Sequence, residues 1–143
     1  MSAVRSVLAV AVGLVLITAI VEPIEFALVA LASDGMTTNP DAYFAVRNQP
    51  LFLAAKLVYN TVAAVAGGFV AALLARRAPI GHGIALAVVQ TAAFAWALAT
   101  PEIRQTTPTW MWASLIALTI AGILGGTRLQ HRRLAVRRTV PGR

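Results

Sequence analysis

The sequence predicts an all-α protein, a membrane-spanning four-helix bundle with its longest connection between helices 1 and 2. Two observations predict this fold. First, 59% of the 143 residues are apolar and only 12% are charged, with a mean hydropathy of +0.77, unlike the composition of ordinary soluble domains. Second, the apolar residues fall into four runs, each long enough to cross a hydrocarbon core of about 30 Å. Four crossings use almost the whole chain, so we expect a single domain.

Polar, glycine and proline residues set the expected ends of the four runs. The helices should cover about 6–32, 50–75, 79–99 and 108–127, followed by a basic tail at 128–143. In the first connection, Asn39 before Pro40 has the pattern of a helix N-cap and predicts a short interfacial helix, although a simple loop fits as well. Thr107 before Pro108 has the same pattern at the start of the fourth helix.

The basic residues indicate the orientation. Arg5, Arg76, Arg77 and six arginines of the tail fall on one side of the membrane, against Arg47 and Arg104 on the other. The positive-inside rule therefore predicts a bacterial-type inner membrane protein with both termini in the cytoplasm. We expect the arginines near the cytoplasmic surface to bind anionic lipid headgroups rather than nucleic acid: Arg76, Arg77, Arg128, Arg132, Arg133, Arg137 and Arg138.

Small residues recur at four-residue spacing on the second and fourth helices. Such faces let helices approach closely in lipid, where burial of apolar surface gives little force for association. We expect them to pack within the chain, with a homodimer interface as the alternative. The residues are Ala64, Gly67, Gly68 and Ala72 on one helix, and Ala121, Gly122, Gly125 and Gly126 on the other.

Two carboxylates and a proline, Glu22, Pro23 and Glu25, interrupt the first apolar run. With a helix rise of about 1.5 Å per residue, Glu25 and Lys56 each lie roughly 9 Å from the same end of their helices. Glu22 lies roughly 13 Å and Asn60 roughly 15 Å from that end. Because an unpaired charge at this depth costs a few kcal/mol, we expect Glu25 to pair with Lys56 and Glu22 with Asn60.

Other residues could complete this polar cluster. Pro23 removes an amide and should kink the helix beside Glu22. Arg47 could reach Glu25 from the connection. Further hydrogen bonds could come from Tyr59, Thr18, Gln90 and Thr91.

The cluster allows two interpretations. It could be an ion pair that only fixes the register of the helices. Alternatively, two neighbouring carboxylates repel when both are ionised, so that one holds a proton, as in a proton or cation site. Binding of a lipid- or quinone-type ligand is a third interpretation.

Enzyme activity is not expected. The chain has no cysteine, and His82 and His131 are its only histidines. No nucleophile elbow, phosphate loop or zinc motif occurs. We therefore expect no metal and no cofactor.

The chain resembles a loose group of uncharacterised bacterial four-helix integral membrane proteins. The resemblance lies in Glu22, Pro40, Gly67-Gly68 before Arg76-Arg77, and the sequence from Gly125 to Arg128. It covers most of the chain and implies no activity.

The sequence therefore favours a structural or accessory interaction protein, as a homo-oligomer or within a larger membrane complex. The alternatives are a small proton- or cation-coupled transporter acting as a homo-oligomer, and binding of a lipid- or quinone-type ligand.

Overall fold

The computed structural model describes residues 3–33, 35, 38–75 and 78–139, and the side chains of this part except those of residues 3 and 137–139. The described part is helical and contains no strand. Six helices follow one another along the chain: α1 (Ala3–Ala32), α2 (Pro40–Arg47), α3 (Pro50–Ala75), α4 (Pro79–Ala99), α5 (Pro101–Arg104) and α6 (Thr109–Thr139).

Four of these helices, α1, α3, α4 and α6, are long and apolar enough to cross a membrane. They also carry large apolar side chains on their outer surfaces. Val15 and Val58 are each 65% exposed and Val88 is 63% exposed. Continuous apolar surface of this kind suits a hydrocarbon environment better than water. The prediction of four apolar helices in a membrane-type bundle is therefore confirmed.

Helix α3 lies at the centre of the bundle, with its most extensive contacts to α6 and the next most extensive to α1. Helix α4 packs against α1, α3 and α6. Helices α1 and α3 are antiparallel, since Gly13 lies against Gly67 while Glu25 lies against Lys56. We call the end of the bundle that contains Glu25, Lys56 and α2 the α2 end.

Glycine residues on both helices allow α3 and α6 to pack tightly against each other. A Cβ atom on Gly68 would collide with the backbone of Ile123, and one on Gly126 would collide with the backbone carbonyl of Val65. Gly122 lies against Ala64 in the same interface. Helix backbones can approach this closely only where side chains are absent. This interface agrees with the expected packing within the chain.

Gly67 and Ala72 are buried as well. The small residues of α3 pack against two helices, α1 and α6. Gly67 faces α1, where a Cβ atom would lie 2.8 Å from the Gly13 carbonyl oxygen. The partner residue Gly13 was absent from the expected packing set.

Two members of the predicted packing set do not pack within the chain. Ala121 is exposed, and no atom of the described residues lies within 4 Å of a Cβ atom built on Gly125. Each precedes one of the buried glycines, Gly122 and Gly126, by one residue, which corresponds to about 100° of rotation around the helix. Ala121 and Gly125 therefore face outward, and the expectation of intramolecular packing was wrong for them.

Helix α6 is longer than predicted, because it continues past Thr127 to Thr139. Its 31 residues correspond to about 46 Å, well beyond a hydrocarbon core of about 30 Å. Most of the basic tail is thus the last part of a helix rather than a separate segment.

The arginines expected to contact headgroups fall into two sets. Among those on α6 with described side chains, Arg128, Arg132 and Arg133 are exposed, and the Arg133 guanidinium lies 5.2 Å from the centroid of the Phe69 ring. The other four have no described side chain: Arg76 and Arg77 lie outside the described residues, and Arg137 and Arg138 are described only as helix backbone.

Helix α2 forms as the cap pattern predicts. The Asn39 side-chain oxygen accepts hydrogen bonds from the backbone amides of Asp41 and Ala42 at 2.9 and 3.4 Å. These bonds satisfy amides that have no partner inside the helix. At its other end, the Asn48 side-chain amide donates to the Thr106 carbonyl at 3.0 Å, which ties the first connection to the loop before α6.

Candidate functional site

The Glu25 carboxylate is the centre of a polar cluster that joins α1, α2 and α3. Its Oε2 atom lies 2.5 Å from Lys56 Nζ and accepts the Tyr59 hydroxyl at 2.9 Å. Its Oε1 atom lies 2.6 Å from Arg47 Nε and accepts the Tyr43 hydroxyl at 3.3 Å. Each carboxylate oxygen therefore faces one cation and one phenol.

Local sequence spacing brings these partners together. Lys56 and Tyr59 are three residues apart on α3, and Tyr43 and Arg47 are four residues apart on α2, so each pair occupies one helix face. The cap at Asn39 sets the start of α2 and thereby the face that it presents to α1. The structure thus places Glu25 against Lys56, as the depth count predicted, and adds the hydrogen bond from Tyr59 that the sequence only allowed.

The charges in this cluster compensate one another at close range. The exposed fractions of the Glu25, Arg47 and Lys56 side chains are only 12%, 13% and 9%. Burying any of them alone would cost several kcal/mol, which favours their mutual contact. Arg47 Nε lacks hydrogen-bond alignment to Glu25 despite the short distance, so the interaction is an ion pair. The Arg47 Nη1 atom donates to the Thr106 carbonyl at 3.4 Å.

Tyr43 lies on α2, outside the four long apolar helices, and its hydroxyl is part of the same cluster. Its ring also lies against Phe26, with 5.8 Å between the centroids. Burial, and then the negative charge of Glu25, raise the pKa of Tyr43 from 10.0 to about 12. The neutral phenol, which donates to Glu25, is therefore strongly favoured.

Glu22 behaves differently from Glu25. It is exposed and makes no ion pair or hydrogen bond in the described part of the chain. The expected pairing with Asn60 was wrong, because the Asn60 side-chain amide donates to the Lys56 carbonyl at 2.8 Å. A buried amide needs a partner, and the carbonyl one turn earlier in the same helix supplies it.

Pro23 does not interrupt α1, which runs continuously from Ala3 to Ala32. The helix therefore does not open into a loop beside Glu22. The kink expected at Pro23 stays a prediction.

A polar cavity of about 180 Å³ lies beside Glu22, between the helices at the α2 end. Its walls come from α1, α2, α3, α4, α6 and the loop before α6. The lining residues are Ile17, Thr18, Val21, Glu22, Glu25, Arg47, Lys56, Asn60, Gln90, Phe94, Thr107, Trp112 and Leu115.

Two buried oxygen atoms on this wall, Thr107 Oγ1 and Gln90 Oε1, have no hydrogen-bond partner among the described residues. The Thr107 side chain was expected to cap the fourth helix, but that expectation was wrong. Helix α6 begins at Thr109, and Thr107 is 4% exposed and lines the cavity instead. Unpaired buried acceptors are rare and call for a partner such as a ligand or water.

The other predicted hydrogen-bonding residues divide between two places. Thr18 lines the polar cavity, with its hydroxyl donating to the Leu14 carbonyl at 3.3 Å. Thr91 bonds the Ala87 carbonyl at 2.8 Å and lies in a separate apolar groove between α4 and α6.

Besides Thr107, sequence reasoning missed three contributors to the site. Tyr43 had a detectable signal, its four-residue spacing from Arg47 on a capped helix. Phe94 and Trp112, whose rings meet edge to face at 6.2 Å on the cavity wall, had none, since aromatic residues at these depths are typical of ordinary membrane helices.

No protein-family model, curated protein or solved structure matches this chain.

Proposed function

We propose that this chain is a small inner-membrane carrier that binds a solute in the polar cavity, coupled to a proton or another cation. The observation that carries the proposal is the different environment of its two neighbouring carboxylates. Glu25 is held by Lys56 and Arg47, whereas Glu22 lines the cavity and has no ion-pair partner among the residues that the structure describes. An unpaired carboxylate on a cavity wall is a candidate site for a proton or a cation.

The charges on the wall support a binding role for Glu22. Glu25 with its two cations carries a net charge of +1, and ionised Glu22 brings the total to zero. Protonation or cation binding at Glu22 would therefore change the net charge of the cavity. Such a change is what couples solute binding to ion binding at one site.

The distribution of arginines supports an outward-facing cavity. If both termini lie in the cytoplasm, the α2 end faces the outside of the cell. In the other half of the bundle, Gly68 and Gly126 hold α3 tightly against α6.

Proton and cation flux into vesicles containing the purified chain tests this function. The native protein should acidify or alkalinise the lumen in response to a cation or pH gradient, and Glu22→Gln should abolish the flux. Glu102→Gln is the matched control, because Glu102 is an exposed carboxylate on α5, outside the cavity. Absence of flux from the native protein under proton, sodium and potassium gradients would overturn the proposal.

A second candidate function, an interaction protein acting as a homo-oligomer or in a larger complex, is favoured by the outer face of α6. Ala117 and Ala121 are exposed at four-residue spacing, and Gly125 continues the row with open space around it. Small-xxx-small rows of this kind are common contact surfaces between membrane helices. The native mass of the detergent-solubilised protein tests self-association. Gly125→Leu should reduce this mass, whereas Val88→Leu, at an exposed position of α4, should not. A monomeric native protein would contradict self-association.

A further inference from the structure

We infer that the polar cavity binds a small organic ammonium ion. The inference rests on the solute-binding role proposed for the same cavity and names the class of solute. It is carried by three properties of the wall: the volume enclosed, the hydrogen-bonding atoms left without partners and the aromatic side chains beside Glu22.

The volume sets the size of the ligand. A dry cavity of about 150 Å³ in a protein core is large enough for benzene. The cavity beside Glu22 encloses about 180 Å³, so it fits a molecule of about the same number of heavy atoms. A bare metal ion would leave most of this space to water.

The cationic donors on the wall, Lys56 and Arg47, already face the Glu25 carboxylate, and two further donors are bonded to backbone carbonyls. The Asn60 amide donates to the Lys56 carbonyl at 2.8 Å, and the Trp112 indole donates to the Arg104 carbonyl at 3.3 Å. Lys56 itself lies against Glu25. An anion would therefore compete with Glu25 for these two cations, and ionised Glu22 on the same wall would repel it.

Acceptors on the wall are free by contrast. Thr107 Oγ1 and Gln90 Oε1 are buried without a partner, and the Glu22 carboxylate has no ion pair in the described part of the chain. An ammonium group carries only donors. It therefore matches this set of oxygens and the negative charge among them.

Aromatic and aliphatic side chains complete the wall. Phe94 and Trp112 line the cavity, and the faces of aromatic rings attract cations that approach within about 6 Å of the ring centre. Ile17 and Leu115 supply aliphatic surface for an alkyl group. The ammonium group of a short alkylammonium ion can donate to the free oxygens and lie against the aromatic rings. Its alkyl group can contact the aliphatic side chains.

Calorimetric titration of the purified full-length protein in detergent tests the inference. Propylammonium should bind saturably, whereas propanol and propionate, which have similar size, should not. Glu22→Gln should weaken propylammonium binding about tenfold or more, because it removes the opposite charge from a partly desolvated site. Glu102→Gln should leave the affinity unchanged.

Thr107→Val provides a second variant with a readout of folding. Since valine keeps the shape and removes an unpaired hydroxyl, the melting temperature should stay equal or rise. Propylammonium affinity should fall about two- to tenfold through the lost hydrogen bond, whereas Thr109→Val, on an exposed residue, should change nothing.

Three results would overturn the inference: absence of saturable propylammonium binding, equal or tighter binding of propionate or propanol, and unchanged affinity in Glu22→Gln. Failure of this inference can be told apart from failure of the carrier function. Flux that depends on Glu22 without any ammonium binding would retain the carrier and remove the ligand class. Ammonium binding without flux would retain the ligand class and rule out the carrier function.

Discussion

Lys56 Nζ lies 2.5 Å from Glu25 Oε2, with both side chains largely buried near the same end of two antiparallel helices. Arg47 approaches the other oxygen of the same carboxylate from α2. Glu25 therefore joins three helices, and its contribution to stability depends on two cations rather than one.

A charge exchange between Glu25 and Lys56 should restore only part of the stability lost in the single variants. Glu25→Lys alone should lower the free energy of unfolding by about 3–5 kcal/mol, the range for breaking a buried pair. In the double variant Glu25→Lys, Lys56→Glu, the new ammonium group would still face Arg47. Adding Arg47→Gln should therefore recover more stability, as measured by reversible unfolding in mixed micelles. Complete recovery in the double variant would show that Arg47 is unimportant.

Titration of Tyr43 should report its contact with Glu25. The protein has two tyrosines, so Tyr59→Phe leaves Tyr43 as the only phenol. Its phenolate ultraviolet absorbance should appear with a midpoint near pH 12 rather than 10, and Glu25→Gln should lower that midpoint.

The sign of the effect on stability follows from the same shift. Because folding raises the pKa of Tyr43 from 10.0 to about 12, its contribution to stability is fully present below pH 10. That contribution is lost as the pH rises from 10 to 12. Tyr43→Phe should flatten the fall in stability over this window, and an unchanged slope would speak against the assignment.

Alanine substitution of two neighbouring glycines on α6 should change the free energy of unfolding in opposite ways. Gly126→Ala would drive a methyl group into the Val65 carbonyl, and overpacking of this kind typically costs about 1–3 kcal/mol or more. Gly125→Ala meets open space and should be neutral or stabilise by up to about 1 kcal/mol through better helix propensity. Unfolding measurements on the two variants check this, and similar losses in both would contradict the observed interface.

Labelling of single cysteines should establish the orientation. The chain has no native cysteine, so Gln105→Cys at the α2 end and His131→Cys near the end of α6 each introduce one thiol. A membrane-impermeant reagent added to intact cells should label the first and not the second. The opposite pattern would place the cavity on the cytoplasmic side.

Much of the fold could be predicted because hydrophobic length and helix-end signals are local. Four apolar runs correspond to α1, α3, α4 and α6, and Asn39 with Pro40 predicts α2. The extension of α6 could have been predicted as well. Between Thr127 and Pro141 the sequence contains neither glycine nor proline and consists mainly of helix-forming residues.

The site was only partly predictable because a depth count gives height but not rotation about the helix axis. Glu25 and Lys56 match in both respects, whereas Glu22 and Asn60 match in depth only. Outward rotation of Gly125 could not be read from spacing for the same reason. The position of Thr107 on the cavity wall depends on α1, α2, α3 and α4 as well as α6, and none of these four helices lies near it in sequence.

The free energy of unfolding of Glu22→Gln and Glu25→Gln tests most directly the central claim, that one carboxylate holds the fold and its neighbour is free for binding. Glu25→Gln leaves Lys56 and Arg47 without their counter-charge and should lose about 3–5 kcal/mol. Glu22→Gln removes an exposed carboxylate and should stay within about 0.5 kcal/mol of the native protein. Equal losses in the two variants, or a larger loss for Glu22→Gln, would contradict the account.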